Sequence, residues 1–312
     1  MSNSAIKITI RCSVPAFAVL LVVTVTGSAR AAEPSSKPDA AYIQSFEKWK
    51  AAETDDLKTN WLPLVGLFWL KPGVNAFGTD PSNAIVFPKG PAHAGEFDLD
   101  GKDVTLKLLP ETQASIDGKR VTSAKLEPDT SQHQTEVDLG TLRFHVIVRG
   151  QRIGIRLKDM ESEYVRKFRG MQFFALNMDY RVTAKWLPGD GKKTVQVPNV
   201  LGDVIAEPAP GTAVFTLHGQ EFTLTALGGD PAKGLFFVFS DASAKTDTYP
   251  GGRFLDTGPV SNGTVVLDFN RAYNPPCAVT PYATCPLAPK ENRLPVAITA
   301  GEKFDKALHA PH

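Results

Sequence analysis

Cysteine is scarce in this sequence: 312 residues contain three. That excludes a disulfide-dense small scaffold. Histidine is equally thin. His93, His133, His145, His218, His309 and His312 are scattered, and no His-Glu-x-x-His pattern occurs. Cys277 and Cys285 have seven residues between them, not the short spacing of a zinc knuckle. The sequence therefore points to no metal and no cofactor. It has no Gly-x-Ser-x-Gly elbow for a hydrolase nucleophile. No glycine-rich phosphate loop precedes a helix. Excess charge of one sign is missing too, with 34 basic against 33 acidic residues. That balance argues against nucleic acid as a partner. It also gives no reason for binding to anionic membrane surfaces.

One apolar run stands out, Ser13 to Thr26. It is too short to cross roughly 30 Å of hydrocarbon. Lys7 and Arg11 precede it, and Ala29-Arg30-Ala31 follows with small residues at the cleavage-determining positions. This pattern predicts a signal peptide over residues 1–31 and a periplasmic or secreted mature protein. No membrane span is expected after cleavage. Loss of Lys7, Arg11 and Arg30 leaves 31 basic against 33 acidic residues.

What the chain has in plenty is turn formers: 24 prolines and 25 glycines. They favour short strands over long helices. A lead and one helix are expected over residues 32–60. Asp39 is its cap, and Tyr42, Phe46, Trp49 and Ala52 or Glu53 form one aromatic stripe that packs on the β body. Trp61 to Leu70 reads as a buried strand. Alternation then takes over: Phe97, Leu99, Val104, Leu106 and Leu108, next Leu142, Phe144, Val146 and Val148, and then Ile153, Ile155 and Leu157. Period two with one apolar face is the half-buried antiparallel strand. Arg152, Arg156 and Lys158 occupy the other face. They are expected to be solvated, or to join Arg166, Lys167 and Arg169 in an anion-attracting surface. Asp159 to Met171 breaks the rhythm. Further strands follow at Tyr180 to Trp186, Val214 to Leu217, Phe222 to Leu227, Leu235 to Phe239, Gly252 to Leu255 and Val265 to Phe269. The reading is an all-β protein of two antiparallel β units with a short N-terminal helix. One unit covers residues 61–160 and the other residues 161–304, the latter a sandwich or barrel. Residues 305–312 form a tail.

The turn Asp80-Pro81-Ser82-Asn83 and the hairpin Ser115 to Val121 resemble parts of a forkhead-associated (FHA) β-sandwich, which reads phosphothreonine peptides. The resemblance covers roughly Gly73 to Gly150. Where that family has its phosphate-binding arginine this sequence has Thr79, and the Ser-x-x-His pair is absent. The resemblance thus implies the sandwich without the bidentate phosphate clamp.

The least generic stretch is Asp268 to Lys303. Its runs Phe269-Asn270-Arg271-Ala272-Tyr273-Asn274-Pro275-Pro276-Cys277 and Pro281-Tyr282-Ala283-Thr284-Cys285-Pro286 resemble the signature of a bacterial family catalogued as domain of unknown function 1684. The similarity runs from about Trp61 to Lys303, and the family name carries no activity. Two cysteines in one loop of an exported chain suggest a disulfide, with a pair of free thiols as the alternative. Asn270, Arg271, Tyr273, Asn274, Tyr282, Asn292, Arg293 and Arg253 are the candidate binding residues. Asp268 and Glu291 are the candidate catalytic carboxylates. The same side chains can instead hold a proline-rich loop by internal hydrogen bonds. Three functions are compatible with the pattern. One is a module binding a small polar or anionic envelope ligand through Arg271. Another is an envelope hydrolase or transferase using a carboxylate and Arg271. The last is a structural partner of an envelope protein.

Overall fold

The computed structural model describes residues 37–307. The signal-peptide reading of residues 1–31 and the last part of the tail lie outside the described residues. The chain opens with α1 (Ala40–Asp56), where the Asp39 carboxylate accepts the Tyr42 N–H at 2.7 Å, the expected cap. The aromatic stripe packs as expected. Phe46 and Trp49 meet the Phe173 ring edge-on, with centroids 5.4 and 5.8 Å apart.

The expected strand from Trp61 starts late. Leu57–Trp61 continues α1 as one π turn, with Leu62 N–H donating to Leu57 O at 2.9 Å. Pro63 has no N–H for a ladder, so pairing begins only after it. The strands of the first half are β1 (Leu64–Trp69), β2 (Gly73–Gly78), β3 (Ile85–Val86), β4 (Gly95–Asp100), β5 (Asp103–Leu108), β6 (Ala114–Ile116), β7 (Lys119–Val121), β8 (Ser123–Leu126), β9 (Val137–Leu139), β10 (Leu142–Arg149) and β11 (Arg152–Asp159). They form two sheets of order β1-β11-β10-β9-β6-β7 and β3-β2-β4-β5-β8. Phe77 and Phe97 from one sheet meet Phe144 from the other at 6.0 and 5.4 Å. This is a β-sandwich closed by an aromatic core.

The outer face of β10 and β11 is solvated at its end, where Arg152 stays partly exposed and pairs with Asp203, and not along its middle. Arg156 and Lys158 are 6 % and 7 % exposed. The Arg156 guanidinium lies over the Trp61 ring at 5.5 Å, and Lys158 donates to Asn60 at 3.0 Å. Arg149 Nε donates to Thr284 Oγ1 at 2.9 Å. The π turn and the cysteine loop therefore cover this face. Alternation marks which residues share a face but not whether water or protein covers it. His145 sits opposite Arg156 across the ladder. Burial, and then the Arg156 charge, push its imidazole down to about 4.

After α2 (Glu163–Lys167) come β12 (Arg181–Pro188), β13 (Thr194–Pro198), β14 (Val204–Pro208), β15 (Gly211–Leu217), β16 (Gln220–Thr225), β17 (Gly228–Asp230), β18 (Gly234–Phe239), β19 (Arg253–Asp256) and β20 (Thr264–Asp268). The sheets are β16-β15-β12-β20, β17-β18-β19 and the ribbon β13-β14, with no closed barrel among them. In β18, Leu235, Phe237 and Phe239 enter the core beneath β12, β15 and β20. Phe236 and Val238 face the cysteine loop. A strand covered on both faces reads as a continuous apolar run. By contacts, the described residues form one compact unit.

Candidate functional site

A cleft of about 400 Å³ opens where α1, the β10–β11 hairpin and the 273–302 segment meet. That volume falls within the range of small-molecule sites. Each wall has a local cause. The first wall is the C-terminal end of α1, which supplies Glu53 and Asp56, with Trp61 on the π turn. Asp56 fixes that turn by accepting Asn60 Nδ2 at 2.7 Å and Trp61 Nε1 at 3.0 Å. The second wall is Arg149 at the hairpin tip, paired with Asp129 at 2.7 Å. The third is Tyr273, Asn274, Pro275 and Pro276 with Cys285 and Pro286, the prolines limiting the loop's freedom. Glu302 closes the back.

Glu302 is the unusual residue. It is 7 % exposed. Burial pushes its carboxyl up to about 8, against the Asn274 backbone N–H, which donates to Oε2 at 2.6 Å and favours the ionised form. Gly301 lets it in. At φ +81° its Cα lies so close to the chain that a Cβ would come within 2.6 Å of Ala272 O. Tyr273 donates to Asp256 at 2.7 Å. Burial, and then the Asp256 charge, raise its phenol, so it stays a donor. Glu53 is raised by burial and by the charges of Asp256 and Asp56. Cys285 is raised by burial. No lysine or arginine among the described residues ion-pairs with Glu53, Asp56, Asp256 or Glu302.

The structure brings Tyr273, Asn274 and Cys285 of the sequence-predicted set into this cleft and distributes the others. Arg271 and Asp268 hold α1. Arg271 donates to Ser45 Oγ at 2.6 Å and lies against the rings of Tyr42 and Trp49 at 6.0 and 5.9 Å. Asp268 accepts Tyr42 at 3.0 Å and has Arg181 at 3.5 Å and Arg271 at 3.7 Å. This one carboxylate and the two guanidinium groups lie beside an open recess of about 440 Å³, which Asp256 also lines. Asn270 clips the 177 region, accepting Asn177 N–H at 3.0 Å and donating to Asn177 O at 2.9 Å. Asn292, fully buried, donates to Thr225 O and Val238 O at 2.8 and 2.9 Å and ties β16 to β18. Arg253 pairs with Asp241 at 2.8 Å inside the core. Tyr282 lines a smaller cavity with Leu62 and Tyr164. Glu291 and Arg293 are exposed and do not line the cleft.

This structure does not show the expected disulfide. Cys277 and Cys285 are buried thiols, and each sulfur accepts the other's backbone N–H at 3.3 Å. Sequence reading missed Asp56, Trp61, Arg149 and Glu302 as wall residues. One signal was available for Glu302. Leu294, Ile298 and Ala300 are buried at even positions, and Glu302 falls on the same parity.

Fold and cleft together define a β-rich protein with a helix-walled, ligand-sized cavity. Residues 166–303, less than half of the chain, match the sequence profile of the family described as "Protein of unknown function (DUF1684)". The match covers the second half and its loop, whereas the sequence resemblance was expected from about Trp61. Among solved structures, the chain is similar to an uncharacterized protein of Haloarcula marismortui. Identity is 33 %, over 46 % of this chain and 81 % of that one, with a TM-score of 0.39. It is also similar to the FHA domain of FhaA, crystallised with a partner's intracellular domain. There the identity is 16 %, over 30 % of this chain and 97 % of that one, with a TM-score of 0.22. No curated protein matches.

Proposed function

We propose that this is an exported small-ligand-binding protein, periplasmic or secreted, whose site is the cleft between α1, the β10–β11 hairpin and the 273–302 segment. The observation that carries the reading is Glu302, an acid in the cleft wall that is more than nine-tenths buried and has no ion-pair partner. Burying an acid without a cation is costly, and such groups gather at binding sites. The ligand is polar, and in this reading Arg271 does not anchor it, because Arg271 lines the neighbouring recess and not the cleft. That guanidinium is engaged by Asp268 and Ser45 and holds the helix. Arg271 supports the site at one remove, because α1 carries Glu53, Asp56 and the turn to Trp61.

A second reading is favoured by one fact. A carboxyl pushed up to about 8 is poised for proton transfer near neutral pH. In an envelope hydrolase or transferase, Glu302 would be the acid–base group, in place of the saturated Asp268 or the exposed Glu291.

Native mass spectrometry of protein from the exported fraction tests the first reading, with Met171→Trp as a variant that fills the cleft from its rim. A small molecule that leaves on denaturation and is absent from Met171→Trp is the expected result. A ligand retained equally by both forms contradicts it. A bare wild-type protein favours the enzymatic reading, in which product departs.

A further inference from the structure

We propose that Cys277 and Cys285, beside the buried cation Arg156, are a thiol–disulfide exchange site. Cys285 attacks a small organic disulfide that enters the cleft, and Cys277 closes the pair. This goes beyond the ligand reading and requires only that the cleft is open. The loop is folded for it. Pro276 starts a 3₁₀ turn over Pro276–Ala278, and the Thr280 hydroxyl accepts the Tyr282 N–H at 3.3 Å. The chain thus doubles back and sets two cysteines eight positions apart side by side. Each sulfur accepts the other's backbone N–H at 3.3 Å. Side chains that reach each other's backbone in this way can be bridged with little backbone movement. The two are not equivalent. Cys285 lines the cleft, whereas Cys277 is fully buried and does not.

The second observation is a cation with nothing to answer it. Arg156 is 6 % exposed, and its Nε and Nη2 are buried without a hydrogen-bond acceptor. Its neighbour Asp129 is already paired with Arg149. Burial, and then the Arg149 charge, push the guanidinium down to about 10, while Asp129, Cys285 and Cys277 act the other way. Arg156 therefore lies within electrostatic reach of both sulfurs. A buried guanidinium is costly beside a neutral thiol and favours a thiolate once one forms. Burial, and then the Cys277 sulfur, raise the Cys285 thiol, and the Cys277 N–H and Arg156 oppose them. In the reaction Cys285 gives up its proton, and its thiolate attacks one sulfur of the incoming disulfide. A mixed disulfide forms, and the other sulfur leaves as a thiolate that takes up a proton. Cys277 then loses its proton and attacks the Cys285 sulfur, releasing the second thiol. One external disulfide is reduced to two thiols, and the protein pair is oxidised by two electrons.

Intact-mass spectrometry of the reduced, folded protein tests this, with hydroxyethyl disulfide as the probe and circular dichroism as the folding control. Wild type should end two hydrogens lighter with no probe attached. Cys277→Ser should keep one half of the probe on Cys285 until reductant is added. Cys285→Ser should react at least about tenfold more slowly, because its remaining thiol does not line the cleft. In the Cys277→Ser background, Arg156→Met should slow adduct formation and Arg156→Lys should restore most of it. Unfolded in urea, the two single cysteine variants should react alike. A folded wild type that keeps both thiols, while its urea-unfolded form loses them, overturns the proposal. So does a lasting adduct on wild type without a closed pair, equal reaction of the two folded cysteine variants, or an Arg156→Met rate equal to its parent's.

Discussion

Two buried ionisable groups lean on the same short segment and behave in opposite ways. Arg253 donates to Ile298 O at 3.0 Å, to Ala300 O and to the Asp241 carboxylate at 2.8 Å. Asp241 is equally occupied, accepting Ile298 N–H at 3.0 Å and Ser243 N–H at 2.9 Å. Two residues beyond Ala300, Glu302 is buried to a similar depth with no base paired to it. Its nearest charged neighbours are Arg253, already committed to Asp241, and Glu53, of the same sign. The first network holds the chain together. The second leaves an unpaired acid at the wall of a cavity. The contrast shows that burial of a charge does not by itself mark a site. What marks it is burial without a partner, next to space.

The strongest way to break the comparison is to make the scaffold pair behave like the site. Arg253→Met leaves Asp241 without its cation and should cost about 3–5 kcal/mol in urea unfolding. A loss below about 1 kcal/mol would mean that the pair is not structural. Glu302→Gln should act in the other direction. The folded carboxyl, at about 8, lies above its ordinary 4.5, so the folded chain keeps a proton that the unfolded chain has released. Stability contributed at this position therefore falls as pH climbs from about 4.5 to about 8. The glutamine variant should lose that fall. It should match wild type in acid and melt at least about 2 °C higher in mild base. Equal melting at both ends would show Glu302 to be compensated after all. Arg271→Ala sharpens the picture for α1. It should cost on the order of 1 kcal/mol and speed amide exchange over residues 40–61, leaving residues 298–302 protected. Glu291→Ala, on an exposed side chain, should change stability by less than about 0.5 kcal/mol.

Much of the fold was legible because strands announce themselves by parity. Phe97 to Leu108 and Leu142 to Leu157 alternate, and their apolar members form the first core. Asp39 and the stripe from Tyr42 gave the helix and its packing face. What parity cannot say is what lies over a strand. Arg156 and Lys158 read as solvated, yet a π turn 95 or more residues earlier and a loop more than 120 residues later bury them. The ribbon β13-β14 was missed, since its prolines and glycines read as loop. The candidate site was legible in part. The Tyr273-Asn274-Pro275-Pro276 run does line the cleft, because proline-rich loops that are ordered must be packed on something. Asp268, Asn270 and Asn292 look alike in sequence, and the structure gives them to scaffolding. Their partners, Tyr42, Asn177 and Thr225, are far away along the chain.

The account turns on one carboxyl. Carbon-detected NMR titration of Glu302, assigned by its absence in Glu302→Gln, measures it directly. The account predicts a midpoint near 8, because burial without a paired cation disfavours the ionised form. A midpoint near the ordinary 4.5 would mean that the carboxylate is already compensated within the protein, and the cleft would lose its claim to be the site.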